Sequence, residues 1–515
     1  MQVQLSSLDS SGDVASVAVA LLAVPCFEDE FLENKVFVSL DKKLDGVLSR
    51  ASKEEQWKGK DGQSLSLHTH GKVAASRIVL FGLGARKDFD AKDLRTLGAR
   101  VVKATQDSSA ANAALVMPPL DFSAGSGSGD AAQQERAVQF LVEGTLHGAY
   151  RFDKYYTGEK KKPFTVQAVQ LLVPSEHGDA KRNERALKRA HVVAEAVQMA
   201  RHFVNEPAAV ATPTHIAAEA TQLAKAKADK GLSIEVLGPA ECKKLGMGMF
   251  LGVAQGSDEE PRVVHLTYKP KDAAKKVIAL IGKGVTFDSG GMSLKTSEGM
   301  LDMKIDMSGA ATVIAAMSAL ADLGCPHEVH AFTALCENML SGKSYHLGDV
   351  LTSMNGKTVE INNTDAEGRL TLGDAITYAK QVCKPDEIYD FATLTGACMV
   401  ALGPYIAGVM SNDSAIADRW LASAKNAGEE MWRLPLPKKL KEQLKSEIAD
   451  MRNTGSRYGG ALTAGLFLKE FVGDTPWVHV DLAGPASADK ESGHLAAGGT
   501  GFAVATIVAH LVPQE

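Results

Sequence analysis

The chain has 515 residues, too many for one ordinary domain and enough for two at about 100 to 200 residues each. Its composition, 45% hydrophobic and 23% charged with 47 glycines, is globular and excludes global disorder. A formal net charge of -6 excludes an overall attraction to nucleic acid or anionic lipid, so small-molecule or peptide chemistry is the better starting point.

The apolar run VASVAVALLAVPC (14 to 26) is too short to span a bilayer, and no Lys or Arg precedes it, so it reads as a buried strand rather than a leader. Strand-like RIVLFGLG (77 to 84) and AVQLLVP (168 to 174) alternate with the helical AKDLRTLGARVVKAT (91 to 105), as in an α/β domain. FSAGSGSGDAAQQE (122 to 135) reads as a Gly/Ser-rich surface loop, and TGEKKKP (157 to 163) as an exposed turn. The stretch from 179 to 207 carries apolar residues at helical spacing until Pro207, which predicts a long connecting helix. Beyond it, KVIALIG, AATVIAAMSALADLG, VHAFTALC, LTLGDAITYAKQV and EIYDFATLTG alternate strand and helix character, predicting a mostly parallel sheet covered by helices. The expected organisation is a smaller N-terminal α/β domain (1–178), a connecting helix (179–204) and a larger C-terminal catalytic domain (205–515). The six cysteines are scattered without CxxC spacing, as expected of reduced thiols in a cytoplasmic protein.

In such sheets chemistry sits beyond the carboxyl ends of strands. KGVTFDSGGMSLK follows KVIALIG and holds Lys283, Asp288 and Lys295; it lacks the phosphate-loop pattern, which disfavours a nucleotide. MLDMKIDMSGAATV holds Asp302 and Asp306 ahead of an Ala-rich helix, where a carboxylate is also favoured by about 0.3 to 1 kcal/mol simply by the helix dipole. GDVLTSMNGKTVEIN reads as a hairpin turning at Asn355-Gly356, and NNTDAEGRL follows it. In extended chain, Asp365 and Glu367 would share one side; a divalent cation would relieve their repulsion and Arg369 could hold an anion. Alone, this segment is equally an acidic turn with Arg369 as counter-ion. Several such segments at predicted strand ends favour a site, and an oxygen-rich set without histidine points to hard or borderline divalent ions rather than structural zinc. The histidines of HTH (68, 70) and HEVH (327, 330) read as surface or strand residues.

These motifs, in this order, resemble the leucine (cytosol) aminopeptidase family of dinuclear metallopeptidases. Further agreement lies in VNEPAAVATP, CENMLSGKSYHLGDVLTSMNGKTVEI, DFATLTGA, WRLPL and WVHVDLAGPA, so the resemblance runs from about residue 200 to the C-terminus. It implies that Asp288 and Glu367 bridge two divalent metals, Mn or Zn with Mg or Co as alternatives. Lys283 and Asp306 would complete the tighter site and Asp365 the more exchangeable one. It further implies that Lys295 stabilises the gem-diolate oxygen, and that Arg369 holds a bicarbonate acting as general base. Met303 would line the pocket for the first side chain, favouring leucine and other apolar residues, while Thr393, Leu394 and Gly396 would belong to a strand receiving substrate backbone. Ile305 and Ser308 depart from the more typical Tyr and Gly. The family implies a homohexamer, a dimer of trimers, acting on short peptides with a free N-terminus. Duplex DNA is the disfavoured alternative partner, resting on the basic runs EKKKP and KRNERALKRAH, and no membrane partner is expected.

Overall fold

The structure is a computed structural model that describes residues 1–8, 12–120, 130–175, 179–512 and 514. The chain divides into two compact units: Met1–Ala194 with Glu491–Ala496, and Glu195–Lys490 with Ala497–Gln514. The helix expected between domains is present as Ala180–Asn205, but the division falls within it, after Ala194, and a short segment near the C-terminus joins the first unit.

The first unit is built on a six-stranded sheet of β1 (Gln2–Leu8), β2 (Leu21–Cys26), β3 (Ser64–His68), β4 (Arg77–Gly82), β5 (Asn112–Val116) and β6 (Ala168–Pro174), in the order β1-β6-β5-β2-β4-β3. Only the β3–β4 pair is antiparallel. Successive residues of β2 enter opposite cores: Leu21 and Ala23 pack with the Leu94–Asp107 helix on one face, Leu22 and Val24 with Phe37, Leu40 and Trp57 on the other. Burial on both faces is why this strand reads as an unbroken apolar run. The strand is confined to Leu21–Cys26, and the preceding half of the run is turn and coil. Of the expected Gly/Ser-rich loop, residues 122–129 lie outside the described residues, whereas 130–135 belong to a helix, Asp130–Gly148; AAQQE continues the helical spacing of the residues after it. The 157–163 turn is exposed as expected.

The second unit is built on an eight-stranded sheet of β7 (Leu232–Leu237), β8 (Arg262–Tyr268), β9 (Val277–Asp288), β10 (Glu328–Asn338), β13 (Glu387–Ala392), β14 (Ala407–Ser411), β15 (Met431–Arg433) and β17 (Trp477–Asp481). Between them in sequence, β11 (Val350–Thr352), β12 (Thr358–Glu360) and β16 (Met451–Arg452) form a small separate sheet. The large sheet runs β15-β14-β17-β13-β9-β10-β8-β7, and its centre, β17-β13-β9-β10, is parallel. β11 and β12 make the expected hairpin, with Gly356 at φ +87° in its turn. The Ser308–Leu323 helix packs against β9, β10 and β13. Composition alone makes Ser297–Leu323 apolar enough to cross a membrane, but 89% of that window is buried, as in a core helix. The Gly368–Cys383 helix packs against β9 and β10 within a second core that includes Ile281, Phe332, Leu370 and Phe467. The parallel strands therefore point their carboxyl ends to one edge, where Asp288, Asn338, Thr393 and Asp481 collect.

Candidate metal centre

Strand β9 extends beyond KVIALIG to Asp288, so Lys283 and Asp288 stand on the strand itself rather than after it. Five positions apart on a regular strand, they would point to opposite faces. The pairing with β10 slips at this point: Val285 faces Cys336 and Phe287 faces Glu337, leaving Thr286 as an extra residue. This bulge reverses the alternation and returns Asp288 to the face of Lys283. A 3-10 turn, Met303–Met307, delivers Asp306 directly ahead of the Ser308–Leu323 helix. That helix reaches the strands through glycine: a Cβ on Gly309 would lie 2.0 Å from the Phe391 carbonyl oxygen, and one on Gly282 would lie 2.4 Å from the Gly309 oxygen.

The extended-chain geometry considered for Asp365 and Glu367 is not the one adopted. They do not lie in extended chain: Thr364 and Asp365 form a turn, and Glu367 is already α-helical (φ -75°, ψ -35°) at the boundary of the Gly368–Cys383 helix. Turn geometry, not strand alternation, brings the two carboxylates together, because the chain must reverse from the hairpin into the helix. Asp288, Asp365 and Glu367 each offer an oxygen within 4.8 Å of the others.

Two lysines sit among the acids. Lys283 Nζ donates to Asp306 Oδ1 at 2.7 Å and to the Thr393 carbonyl at 3.1 Å, and pairs with Glu367 Oε1 at 2.8 Å. Lys295 Nζ pairs with Asp288 Oδ2 at 2.9 Å and Asp365 Oδ1 at 2.5 Å. Thr393 Oγ1 donates to Asp306 Oδ1 at 2.8 Å. Burial works against both ammonium charges, yet the surrounding carboxylates outweigh it and raise both lysine pKa values. Burial and the Glu367 charge push the Asp288 carboxyl up to about 6, against the pull of Lys283 and Lys295. Burial raises Asp306 well above the carboxylate range, while Lys283 overcomes burial at Glu367 and lowers it. Four acids share two lysines, so the pocket carries more negative charge than its cations neutralise.

The donor set fits divalent ions. Glu367 Oε2 is buried without a hydrogen-bond partner, and Asp306 Oδ2 and Asp365 Oδ1 meet lysine nitrogens only as ion pairs, without hydrogen-bond geometry. A buried carboxylate oxygen with no partner at all, as Glu367 Oε2 is, is costly unless a further cation meets it. Lys283 stands as an ammonium donating to its neighbours, so its use as a ligand requires displacement of a proton. Asp302 is exposed, and the histidines of HTH and HEVH are not members of the carboxylate group.

Arg369, in the first turn of the Gly368–Cys383 helix, is buried; burial lowers its pKa to about 10. One nitrogen donates to the Asn453 carbonyl at 2.8 Å, its Nε has no partner, and no ion pair among the described residues joins it to a carboxylate. It is therefore not the counter-ion of the acidic turn. Thr393 and Leu394 lie beyond the end of β13 in a loop, and Gly396 opens the Gly396–Leu402 helix, so none of the three is in a strand. The chain leaves the ladder because Asp481 captures it: Oδ1 accepts from Leu394 N (3.2 Å) and Thr395 N (3.4 Å), and Oδ2 from Thr395 Oγ1 (2.7 Å). Met303 is half-buried in the 3-10 turn, and Gly396 is exposed with open space at its Cβ position. The sequence reading left Asn338, Tyr345, Thr364 and Asp481 without roles; their position at strand ends or inside the matching motifs was the signal that could have found them.

The catalytic-domain model of the cytosol aminopeptidase family matches residues 198–508. The chain belongs to the cytosol aminopeptidase family. The family's N-terminal domain also matches, over 23–159, so the relationship extends well upstream of residue 200, where the sequence motifs had placed its start. Probable cytosol aminopeptidases of Cyanothece sp. and Synechococcus sp. are 42% and 44% identical, the first over 95% of this chain and 96% of its own length, the second over 93% and 92%. A tomato leucine aminopeptidase point variant superposes with a TM-score of 0.89 at 35% identity, covering 100% of this chain and 97% of that one. A bottromycin maturation enzyme in complex with Mn superposes with a TM-score of 0.81 at 33% identity, covering 96% and 99%. Membership of the cytosol aminopeptidase family assigns a metal-dependent aminopeptidase, a peptide hydrolase, and the two-domain α/β architecture is the family's.

Proposed function

We propose that this aminopeptidase removes N-terminal residues, preferably leucine and other apolar ones, from short peptides at a two-metal centre. The observation that carries the reading is the group of four acids, Asp288, Asp306 and Glu367 buried and Asp365 half-buried, which two lysines leave underneutralised and with the buried Glu367 Oε2 lacking any hydrogen bond. Asp288 and Glu367 would bridge the ions, with Lys283 and Asp306 completing one site and Asp365 the other. Mn or Zn suits this oxygen and amine set, and the Mn complex of a relative supports it. When bound, the ions supply Lewis acidity, an activated water and a ligand position for the substrate's free amine.

The chain's own residues do the rest. Lys295 keeps its proton, because Asp288 and Asp365 outweigh its burial, and sets positive charge where the carbonyl oxygen becomes negative. Arg369, which has no ion pair to a carboxylate among the described residues and whose Nε lacks a hydrogen-bond partner, would hold an anion; a bicarbonate there would supply the general base that no histidine of these motifs offers. Met303 is an adaptable apolar wall for the first side chain, and the Thr393–Gly396 segment, which runs into a helix, aligns the substrate backbone. The homohexamer is carried over from the family resemblance, with exposed Leu301, Val400, Tyr405 and Trp432 on the catalytic unit available for subunit contacts, and six free cysteines support a reducing cytoplasm.

Protein supplied with Mn or Zn should cleave Leu-p-nitroanilide and leave its N-acetylated form intact. Equal cleavage of the two would remove the free amine, and with it exopeptidase action, from the mechanism.

A further inference from the structure

Asn338, the last residue of β10, is fully buried, and its side chain touches both the segment carrying Asp288 and the one carrying Asp365. Its Nδ2 donates to Asp288 Oδ1 at 2.8 Å and to the Thr364 carbonyl at 3.0 Å. Both neighbours are acceptors, so the amide orientation is set by chemistry: reversed, its oxygen would face two oxygens. The Asn338 backbone carbonyl is itself held by Ser289, from N at 2.9 Å and Oγ at 2.8 Å. Gly291 makes room for the unpartnered Asn338 Oδ1, since a Cβ there would lie 2.9 Å from it.

We propose that Asn338 is a positioning residue that turns the Asp288 carboxylate toward the metal centre and ties it to the turn carrying Asp365. Asp288 Oδ1 accepts from Asn338 Nδ2 and from Gly290 N at 2.9 Å, which uses both of its lone pairs. Oδ2 is then the oxygen left to face a cation, and in this structure it faces the Lys295 ammonium. The Thr364 carbonyl has a second donor, the buried Tyr345 hydroxyl at 2.7 Å, so the turn itself does not depend on Asn338 alone. Asp288 Oδ1, by contrast, has Asn338 as its side-chain donor, with only the backbone Gly290 N beside it. The inference rests on the metal-centre reading above and adds the residue that presets it.

The test titrates Mn into chelator-stripped full-length protein against a fluorescent competitor, alongside kcat and KM for Leu-p-nitroanilide at saturating Mn. Asn338→Ala should weaken Mn binding by about 10- to 100-fold, as loss of a ligand's outer partner does, and lower kcat with KM within about twofold. Tyr345→Phe removes the other donor to Thr364 and leaves Asp288 held, so it should bind Mn as wild type does. If Asn338→Ala does not fold, Asn338→Ser, which keeps one donor, is measured in its place, with a smaller loss of affinity expected. A folded Asn338 variant with wild-type Mn affinity, or a Tyr345→Phe protein that loses affinity equally, overturns the proposal. Failure of the wild type to bind Mn at all would instead overturn the metal-centre reading.

Discussion

Gly309→Ala is a one-methyl test of how the centre is assembled. A Cβ at this position would lie 2.0 Å from the Phe391 carbonyl oxygen and 2.8 Å from Lys283 N, while real Cβ contacts stay beyond 3.0 Å. The Ser308–Leu323 helix must therefore retreat from the β9–β13 pair by about 1 Å, because the obstacle is backbone and not a flexible side chain. Lys283 is fixed to one side of this contact and Asp306 to the other, so their 2.7 Å hydrogen bond is stretched directly. Overpacking of this kind costs about 1 to 3 kcal/mol, of which alanine's better helix propensity returns at most about 1. At about 2 to 4 °C per kcal/mol for a domain of this order of size, Tm should fall by up to about 12 °C. A misplacement of about 1 Å at the chemistry should lower kcat/KM for Leu-p-nitroanilide by about 100-fold at saturating Mn. Differential scanning fluorimetry and steady-state kinetics on the same preparation check both. Wild-type Tm together with wild-type kcat/KM would refute the claim that backbone contact between helix and strands sets the ligand geometry.

Glu367→Gln should lose metal and activity while keeping its fold, because the carboxylate serves the ions; metal content and circular dichroism decide, and a wild-type rate would remove Glu367 from the site. Asp390 accepts from Trp477 Nε1 and pairs with His479 Nδ1, both at 2.6 Å, in a fully buried setting. Asp390→Ala strands these groups and should cost about 3 to 5 kcal/mol in urea unfolding; a loss below about 1 would show that water or another group replaces the carboxylate. Asp374 accepts from Phe250 N and Met354 N, and burial, outweighing those bonds, raises its carboxyl to about 7. With the folded value above the unfolded 3.8, its contribution to stability is full below about pH 4 and is lost as pH rises through 7. The stability difference between wild type and Asp374→Asn should shift against wild type between pH 5 and pH 8, and an equal difference at both pH values would contradict the burial argument.

The sequence by itself determined the residue types and the local periods. Runs such as VHAFTALC and AATVIAAMSALADLG could be read as strand and helix because burial on one or both faces leaves a pattern within a few residues. The acids and lysines of the centre were legible for a related reason, since their chemistry is unusual for strand ends and each motif is short. Tertiary structure alone decided their geometry. Lys283 and Asp288 share a face only because Thr286 is extra in the pairing with β10, and a bulge depends on a strand about 50 residues away. Asp365 and Glu367 converge through a turn clamped by Asn338 and Tyr345, side chains from other segments. Arg369, read as a neighbour of two acids, donates instead to Asn453. Adjacency along a chain constrains residue identity and local conformation; which charges meet depends on contacts between distant segments, and those exist only once the sheet has formed.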